Sequence, residues 1–191
     1  MNVTFLTSAT KLDELPRSKK PQIAFVGRSN VGKSTLLNDL AGKKGLAYVS
    51  SMPGRTQMIN IFEVDHRFYL VDLPGYGYAK ISNEKKQDFI RLLSDYLSET
   101  QELALVFLVI DARLGLTELD RHMLVQLQGI DMPCVIIANK MDKLTRSAGI
   151  VFLKKMATEY PQTVVLTHSS VSGKGCGEIW EMIEKTIRKG E

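Results

Sequence analysis

The eight residues from Gly27 to Ser34 have the types and spacing needed to hold a phosphate chain. They match the pattern Gly-x-x-x-x-Gly-Lys-Ser, follow the apolar run Ile23 to Val26, and precede a segment with helical periodicity. Glycines allow backbone N–H groups to approach phosphate oxygens, a lysine supplies a cation, and a helix N-terminus favours negative charge. The sequence therefore predicts a P-loop made of Gly27, Arg28, Ser29, Asn30, Val31, Gly32, Lys33 and Ser34.

A second motif, Asp72-Leu73-Pro74-Gly75, closes a predicted strand as Asp-x-x-Gly. The carboxylate of Asp72 can reach a magnesium-bound water there, and the N–H of Gly75 can approach a γ-phosphate because glycine has no Cβ. Four-residue matches arise by chance in many chains. The position of this motif at the end of a predicted strand nevertheless favours a role in phosphate binding.

A third motif, Asn139-Lys140-Met141-Asp142, also ends a predicted strand. A carboxylate at Asp142 can accept from the ring N1–H and the amino group of guanine, whereas adenine has neither donor on that edge. Lys140 can lie over the base, and the Asn139 amide can bind neighbouring loops. The alternative is that Asn139 caps the next helix and Asp142 is a surface charge. Further along, a backbone N–H of the segment Ser169, Ser170, Val171 would reach guanine O6.

Short β-branched runs alternate with amphipathic segments, which is typical of a sheet with crossover helices. The predicted strands are Ile23–Val26, Asn60–Glu63, Phe68–Asp72, Leu103–Asp111, Cys134–Asn139 and Thr163–Thr167. The second and third are joined by only four residues, so they should form an antiparallel hairpin in an otherwise parallel, six-stranded sheet. The predicted helices are Lys33–Ala41, Asn83–Ser98, Thr117–Gly129, Thr145–Glu159 and Gly177–Lys189. Core stripes are expected at Leu119, Met123, Leu127, Phe152 and Met156.

Composition predicts one domain. The chain has 191 residues, 44% of them hydrophobic, and a formal charge of +4 that suits a nucleic-acid or ribonucleoprotein partner. Cys134 and Cys176 fit neither a disulfide framework nor paired metal ligands, so a reducing compartment is expected. No apolar run is long enough to span a bilayer, which predicts a cytoplasmic protein without membrane insertion. Residues 1–21 form a polar lead-in, and residues 22–191 form the domain.

Several longer strings resemble the bacterial EngB (YihA or YsxC) family of GTP-binding proteins, in the TrmE-Era-EngA-EngB-Septin-like GTPase superfamily. The specific ones are Pro53-Gly54-Arg55-Thr56-Gln57 and Asp72-Leu73-Pro74-Gly75-Tyr76-Gly77-Tyr78-Ala79. The resemblance implies a Ras-like G domain that binds GTP or GDP with Mg²⁺. It also implies a role, as a monomer, in assembling a large ribosomal subunit precursor, and a requirement for normal cell division and septation. Asn139 stands where many members carry Thr, which restores the commoner GTPase pattern.

The resemblance also assigns individual residues. Thr56 would be the switch threonine and would join Ser34 on magnesium, with Asp72 acting through water, while Thr35 would touch the α-phosphate. The nucleotide site would further include Gly54, Arg55, Gln57, Met58, Leu73, Pro74 and Met141. Without the family match, Thr56 could equally be a residue that leads into a strand.

Tyr76 follows Gly75 where Ras-like proteins carry the glutamine that orients water, so slow hydrolysis is expected. Tyr76, Gly77 and Tyr78 either dock on RNA or protein, or pack beneath the switch. The catalytic set would be Lys33, Thr56, Gly75 and Asn30.

Asn30 could hold a potassium ion against the phosphates, where an arginine finger would act. The alternatives are that Asn30 only supports the loop, or that Arg28 or Arg55 acts in its place. Two other classes of function stay open at this point. One is an ATP-using kinase, and the other is a non-hydrolysing GTP-bound scaffold at the septum.

Overall fold

The structure, a computed structural model, describes residues 1–47, 58–77 and 83–190. Within these ranges the chain forms an α/β fold with seven strands and five α-helices. The strands are β1 Val3–Ala9, β2 Gln22–Gly27, β3 Ile59–Val64, β4 Phe68–Asp72, β5 Leu103–Asp111, β6 Cys134–Asn139 and β7 Val164–Thr167. The helices are α1 Lys33–Ala41, α2 Asn83–Glu99, α3 Glu118–Gly129, α4 Arg146–Glu159 and α5 Cys176–Gly190.

The sheet has the order β1-β3-β4-β2-β5-β6-β7. Strand β3 is antiparallel to both of its neighbours, and the β2–β4, β2–β5, β5–β6 and β6–β7 pairings are parallel. The predicted hairpin is therefore confirmed, and so is the single antiparallel strand. The expected count of six strands is wrong, because the lead-in contributes β1 at the edge of the sheet.

Strand β1 escaped prediction because its sequence does not alternate. Its register with β3 shifts between Phe5 and Thr7, and only Val3 and Ala9 at its ends are buried. A bulged edge strand with one residue too many loses the period of two on which strand prediction depends. The neighbouring residues Leu12–Glu14 form a single 3-10 turn.

Helices cover both faces of the sheet. Helices α2, α3 and α4 supply the core on one face, and α1 and α5 supply it on the other. Met123, Leu127 and Met156 belong to the first of these cores, as predicted, and Phe152 packs against it. Leu119, in the first turn of α3, does not belong to the core, since it is 46% exposed.

The parallel strands end at one edge of the sheet, and the motif residues lie there. Gly27, Asp72 and Asn139, one from each motif, are the last residues of β2, β4 and β6. Asp111 is the last residue of β5 and lies at the same edge. In an open α/β sheet the carboxyl ends of the strands are where a ligand is expected. The fold thus gathers the three motifs, which are far apart in sequence, into one region.

Candidate functional site

The P-loop is a tight turn between β2 and α1. Asn30 (φ 65°) and Gly32 (φ 98°) both adopt left-handed backbone conformations, and Gly32 is the N-cap of α1. A Cβ at Gly27 would collide with the carbonyl oxygen of Val109 on β5, and one at Gly32 would lie 2.5 Å from the Asn139 amide nitrogen. Both glycines are thus required by their neighbours. At the start of α1 no side chain among the described residues makes a capping hydrogen bond, so the first N–H groups of the helix can bind a ligand.

Lys33 and Ser34 meet the carboxylate of Asp72. The Lys33 Nζ lies 3.7 Å from Asp72 Oδ1, and the Ser34 hydroxyl donates to Asp72 Oδ2 over 3.3 Å. Burial raises the pKa of Asp72, against the effect of these two neighbours. Asp72 Oδ1 is buried and has no hydrogen-bond partner in the described part of the chain. An unsatisfied carboxylate oxygen beside a serine hydroxyl suits a hard cation that keeps several waters, as Mg²⁺ does.

The segment after β4 is held against the P-loop by its backbone. The Ser29 N–H donates to the Tyr76 carbonyl over 2.9 Å, and the Tyr76 N–H donates to the Gly27 carbonyl over 3.2 Å. A Cβ at Gly75 would lie 3.1 Å from the Ser29 nitrogen, so this close approach depends on glycine. Leu73 and Pro74 complete the link and Leu73 is fully buried.

The Tyr76 side chain packs beneath this segment and is 8% exposed. Its hydroxyl donates to Oδ1 of Asp120 on α3 over 2.6 Å. The packed alternative therefore describes Tyr76, while Tyr78 lies outside the described residues. Burial raises the pKa of Tyr76, and the Asp120 carboxylate raises it further. The phenol is neutral and acts as a donor.

Asp120 is a site residue that sequence reasoning missed. Its side chain is fully buried; Oδ2 accepts from the N–H and the hydroxyl of Thr117 and lies 3.6 Å from Arg28 Nε. The pattern Thr117-x-x-Asp120 could have been read as a capping box at the start of α3. Nothing in that pattern indicates that the same carboxylate joins Arg28 of the P-loop to Tyr76.

On the other side of the P-loop, Asn139 and Lys140 bind its carbonyl groups. The Asn139 amide donates to the Val31 carbonyl over 2.9 Å, and the Lys140 ammonium donates to the Asn30 carbonyl over 2.7 Å and to Asp111 Oδ2 over 3.0 Å. Asn139 does not cap the following helix. That helix, α4, has Thr145 as its N-cap.

Asp142 lies beside the serine segment that follows β7. Its Oδ1 accepts from the Ser169 hydroxyl over 2.9 Å, and its Oδ2 lies 3.5 Å from Lys143 Nζ. Burial is opposed by the Ser169 hydrogen bond and by Lys143, and the net effect lowers the pKa of Asp142. The group is a carboxylate at neutral pH. Ser170 and Val171, the next two residues of the predicted base site, are half-buried and exposed, respectively.

Several predicted residues lie outside the described residues or at their boundary. Gly54, Arg55, Thr56 and Gln57 lie outside the described residues, and Met58 is half-buried at their boundary. Thr35 is half-buried in the first turn of α1. Further along that helix, two reciprocal hydrogen bonds of 3.0 and 2.7 Å join the Asn38 amide to the backbone of Ala47.

The cysteines take no part in the site. Cys134 packs against one core and Cys176 against the other, and burial raises the pKa of both thiols. Among the described residues, no cluster of three His, Cys, Asp or Glu side chains could hold a metal. In the same part of the chain, no helix is long and apolar enough to cross a membrane.

A P-loop, a buried carboxylate at the end of the neighbouring strand and an Asn-Lys-x-Asp turn on one sheet edge define a P-loop GTPase of the G-domain class. The model of the family described as 50S ribosome-binding GTPase matches residues 22–140. A probable GTP-binding protein EngB from Prosthecochloris aestuarii is 44% identical over 184 residues, which cover 96% of each chain. A second, from Limosilactobacillus reuteri, is 37% identical and covers 98% of this chain and 97% of its own.

Solved structures agree in fold. A crystal structure of a probable GTP-binding protein engB superposes with a TM-score of 0.71 at 22% identity, covering 88% of this chain and 99% of that chain. Aquifex aeolicus Era bound to GDP·AlF4⁻ gives a TM-score of 0.72 at 24% identity, over 88% of this chain and 57% of its own. The chain belongs to the EngB family of GTP-binding proteins.

Proposed function

We propose that this protein is a magnesium-dependent GTP switch with slow intrinsic hydrolysis that acts on a precursor of the large ribosomal subunit. The observation that carries the proposal is the placement of Asp142. Its carboxylate, aligned by Ser169, lies in the turn that Asn139 and Lys140 attach to the P-loop. A base reader tied in this way to a phosphate site selects guanine nucleotides.

The base would be read by Asp142, which accepts from the N1–H and amino groups of guanine. The backbone of Ser169, Ser170 and Val171 would face guanine O6, and the Lys140 stem would lie over the ring. Because Lys140 is held by Asp111 and by the Asn30 carbonyl, its methylene chain is already ordered before a base arrives. An ATP-using kinase would need none of these contacts.

The phosphates would lie along the P-loop, with Lys33 opposite the β- and γ-phosphates and Thr35 near the α-phosphate. Ser34, Asp72 through water, and Thr56 would hold Mg²⁺. The supporting observation is that the buried Oδ1 of Asp72 accepts no hydrogen bond from the described residues. Mg²⁺, when bound, neutralises charge on the β- and γ-phosphate oxygens. The N–H of Gly75 would approach the γ-phosphate, where a side chain would clash with Ser29.

The proposal of slow hydrolysis is supported by Tyr76, the residue that follows Gly75. Tyr76 is buried and donates its hydroxyl to Asp120, so it is not available to orient an attacking water. Arg28 lies beside Asp120, and this ion pair argues against Arg28 as an arginine finger in cis. Asn30 is exposed in the P-loop, which supports it as a potassium ligand, and its left-handed backbone supports the purely structural alternative.

The partner proposal depends on the family and on charge. The family description names ribosome binding, and a net charge of +4 favours an RNA-rich partner. We propose a cytoplasmic monomer that supports assembly of the large subunit, with cell division and septation dependent on that step. Co-sedimentation with ribosomal subunits in GTP, GDP and no nucleotide tests this directly. Binding that is the same in all three states would contradict a switch and favour a scaffold.

The base assignment is tested by Asp142→Asn. The amide replaces one acceptor by a donor that opposes guanine's own, so GTP affinity should fall at least about tenfold, or about 1.4 kcal/mol. Xanthosine triphosphate, which has a carbonyl in place of the amino group, should bind this variant better than GTP. Asp131→Asn, in an exposed turn, is the control. GTP affinity equal to that of the wild type, or competition of GTP by excess ATP, would contradict the assignment.

A further inference from the structure

A histidine that the proposed function does not use lies buried behind the base site. His168 directly follows β7, and its side chain has no exposed surface. Its N–H donates to the Ala138 carbonyl over 2.9 Å, and its carbonyl accepts from the Met141 N–H over 3.2 Å. The backbone of His168 therefore already joins the end of β6 to the turn that carries Asp142.

The imidazole contacts Asn139. Nδ1 lies 2.8 Å from Asn139 Oδ1. The orientation of that amide is fixed by its other partners, because the Val31 carbonyl can only accept, and the Lys140 N–H, 2.8 Å from Oδ1, can only donate. Asn139 Oδ1 is therefore an acceptor, and His168 Nδ1 must carry the proton.

The other ring nitrogen faces helix α1. Nε2 lies 3.4 Å from Asp39 Oδ2, and both atoms are buried without a hydrogen-bond partner among the described residues. With the proton on Nδ1, a neutral ring presents a lone pair to a carboxylate. One further proton between Nε2 and Oδ2 would pair these two atoms, and an amide in place of Asp39 would donate to Nε2 without it.

We propose that His168 is a positioning residue for guanine recognition. Its Nδ1–H holds the Asn139 amide in the orientation that attaches the base turn to the P-loop, and a proton taken from solvent at Nε2 adds Asp39 of α1 to the same chain of hydrogen bonds. The proposal rests on the base assignment made above, since it names the group that aligns that site.

The groups that face the ring set the pH range. Asp39 on α1 and Asp142 in the base turn both favour the imidazolium, whereas burial lowers the pKa of His168 and outweighs them. Cys176 at the start of α5 also faces Asp39, and burial together with that carboxylate raises the pKa of its thiol, so it stays neutral. Because the pKa of His168 lies below its usual range, the ring carries only the Nδ1 proton at neutral pH and gains its second proton at a pH below the usual range of a histidine.

The test separates the two ring nitrogens by substitution. His168→Phe keeps the ring shape without a donor, and His168→Asn places an amide N–H near the position of Nδ1. We expect His168→Phe to weaken GDP binding about five- to tenfold and to lower the ratio of GDP to inosine diphosphate affinity, because inosine lacks the amino group that Asp142 reads. His168→Asn should restore most of both. A purely structural role would lower the affinity for both nucleotides equally and leave their ratio unchanged.

The second arm concerns Asp39. Asp39→Asn supplies a permanent amide donor to Nε2. As the pH is lowered from about 8 to about 5, the wild type should therefore gain GDP affinity beyond the change caused by titration of the nucleotide phosphate, and this variant should not. Nitrogen-15 NMR of the ring should show Nδ1 protonated at pH 8 in the wild type. His122→Phe, at an exposed position on α3, is the control.

The outcomes distinguish the two levels of the argument. Wild-type protein with no preference for GDP over inosine or adenosine diphosphate would contradict the base assignment itself. Wild-type preference for guanine that survives unchanged in His168→Phe, or a ring protonated only at Nε2, would overturn the role of His168 alone.

Discussion

Tyr76→Phe should destabilise the fold through a single oxygen atom. The Tyr76 hydroxyl is the hydrogen-bond partner of Asp120 Oδ1, while Oδ2 keeps both bonds from Thr117. Asp120 is fully buried, so water cannot replace the lost donor. A hydrogen bond to a buried charged group contributes about 1.5–3 kcal/mol, which predicts a loss of about 2 kcal/mol in the free energy of unfolding.

The measurement is urea unfolding of the nucleotide-free protein, because a bound nucleotide would add its own stabilisation. For a chain of this size the same loss corresponds to a fall in Tm of about 4–8 °C. Tyr160→Phe is a matched control, since the Tyr160 hydroxyl lies 3.3 Å from Arg121 Nε at an exposed site. A loss below about 0.5 kcal/mol in Tyr76→Phe, or equal losses in both variants, would refute the account of Asp120.

Three further predictions concern the nucleotide site and its supports. Ser34→Ala should weaken magnesium-dependent GTP binding at least about tenfold with an unchanged circular dichroism spectrum, and intact affinity would remove Ser34 as a metal ligand. The Arg113 hydrogen bonds, against burial and with help from Lys140, hold the pKa of Asp111 well below its usual range. Its carboxylate therefore stabilises the fold above the unfolded pKa near 3.8 and loses this effect as the pH falls further. Asp111→Asn should cost about 1 kcal/mol at pH 7, since half-exposed Arg113 is screened, and the difference should shrink below about pH 4 in acid unfolding. GTP turnover should be faster in potassium than in sodium at equal ionic strength, and the difference should vanish in Asn30→Ala; a rate indifferent to the cation would rule the ion out.

The P-loop and the strands around it could be predicted from sequence because the information is local. Residues Gly27 to Ser34 carry their own turn chemistry, and β5 and β6 are continuous apolar runs that end at a polar residue. The predicted bounds of α1, β4, β5 and β6 agree with the structure. The other predicted helices and strands differ from the structure by one residue at one or both ends.

What the sequence could not show is which distant side chains share a buried carboxylate or imidazole. Asp120 belongs only to a local capping pattern and His168 to no motif, and their partners Tyr76 and Asn139 are 44 and 29 residues away. Such pairs exist only because the sheet brings the carboxyl ends of its parallel strands to the same side of the molecule. Periodicity and spacing report on one element at a time, so contacts of this kind need the folded chain.

The P-loop backbone is held by two other parts of the site, the segment after β4 and the turn after β6. Asn30 and Lys140 both adopt left-handed backbones, with φ values of 65° and 64°. Such a conformation costs about 1 kcal/mol for a residue other than glycine. The two residues are joined by the bond from Lys140 Nζ to the Asn30 carbonyl, and the adjacent residues Ser29 and Val31 are held by Tyr76 and Asn139. Three consecutive P-loop residues are thus fixed from two sides, by the segment after β4 and by the turn after β6. The segment after β4 and the turn after β6 thus both bind the backbone that faces the phosphates, so we expect a change in either one to alter that backbone.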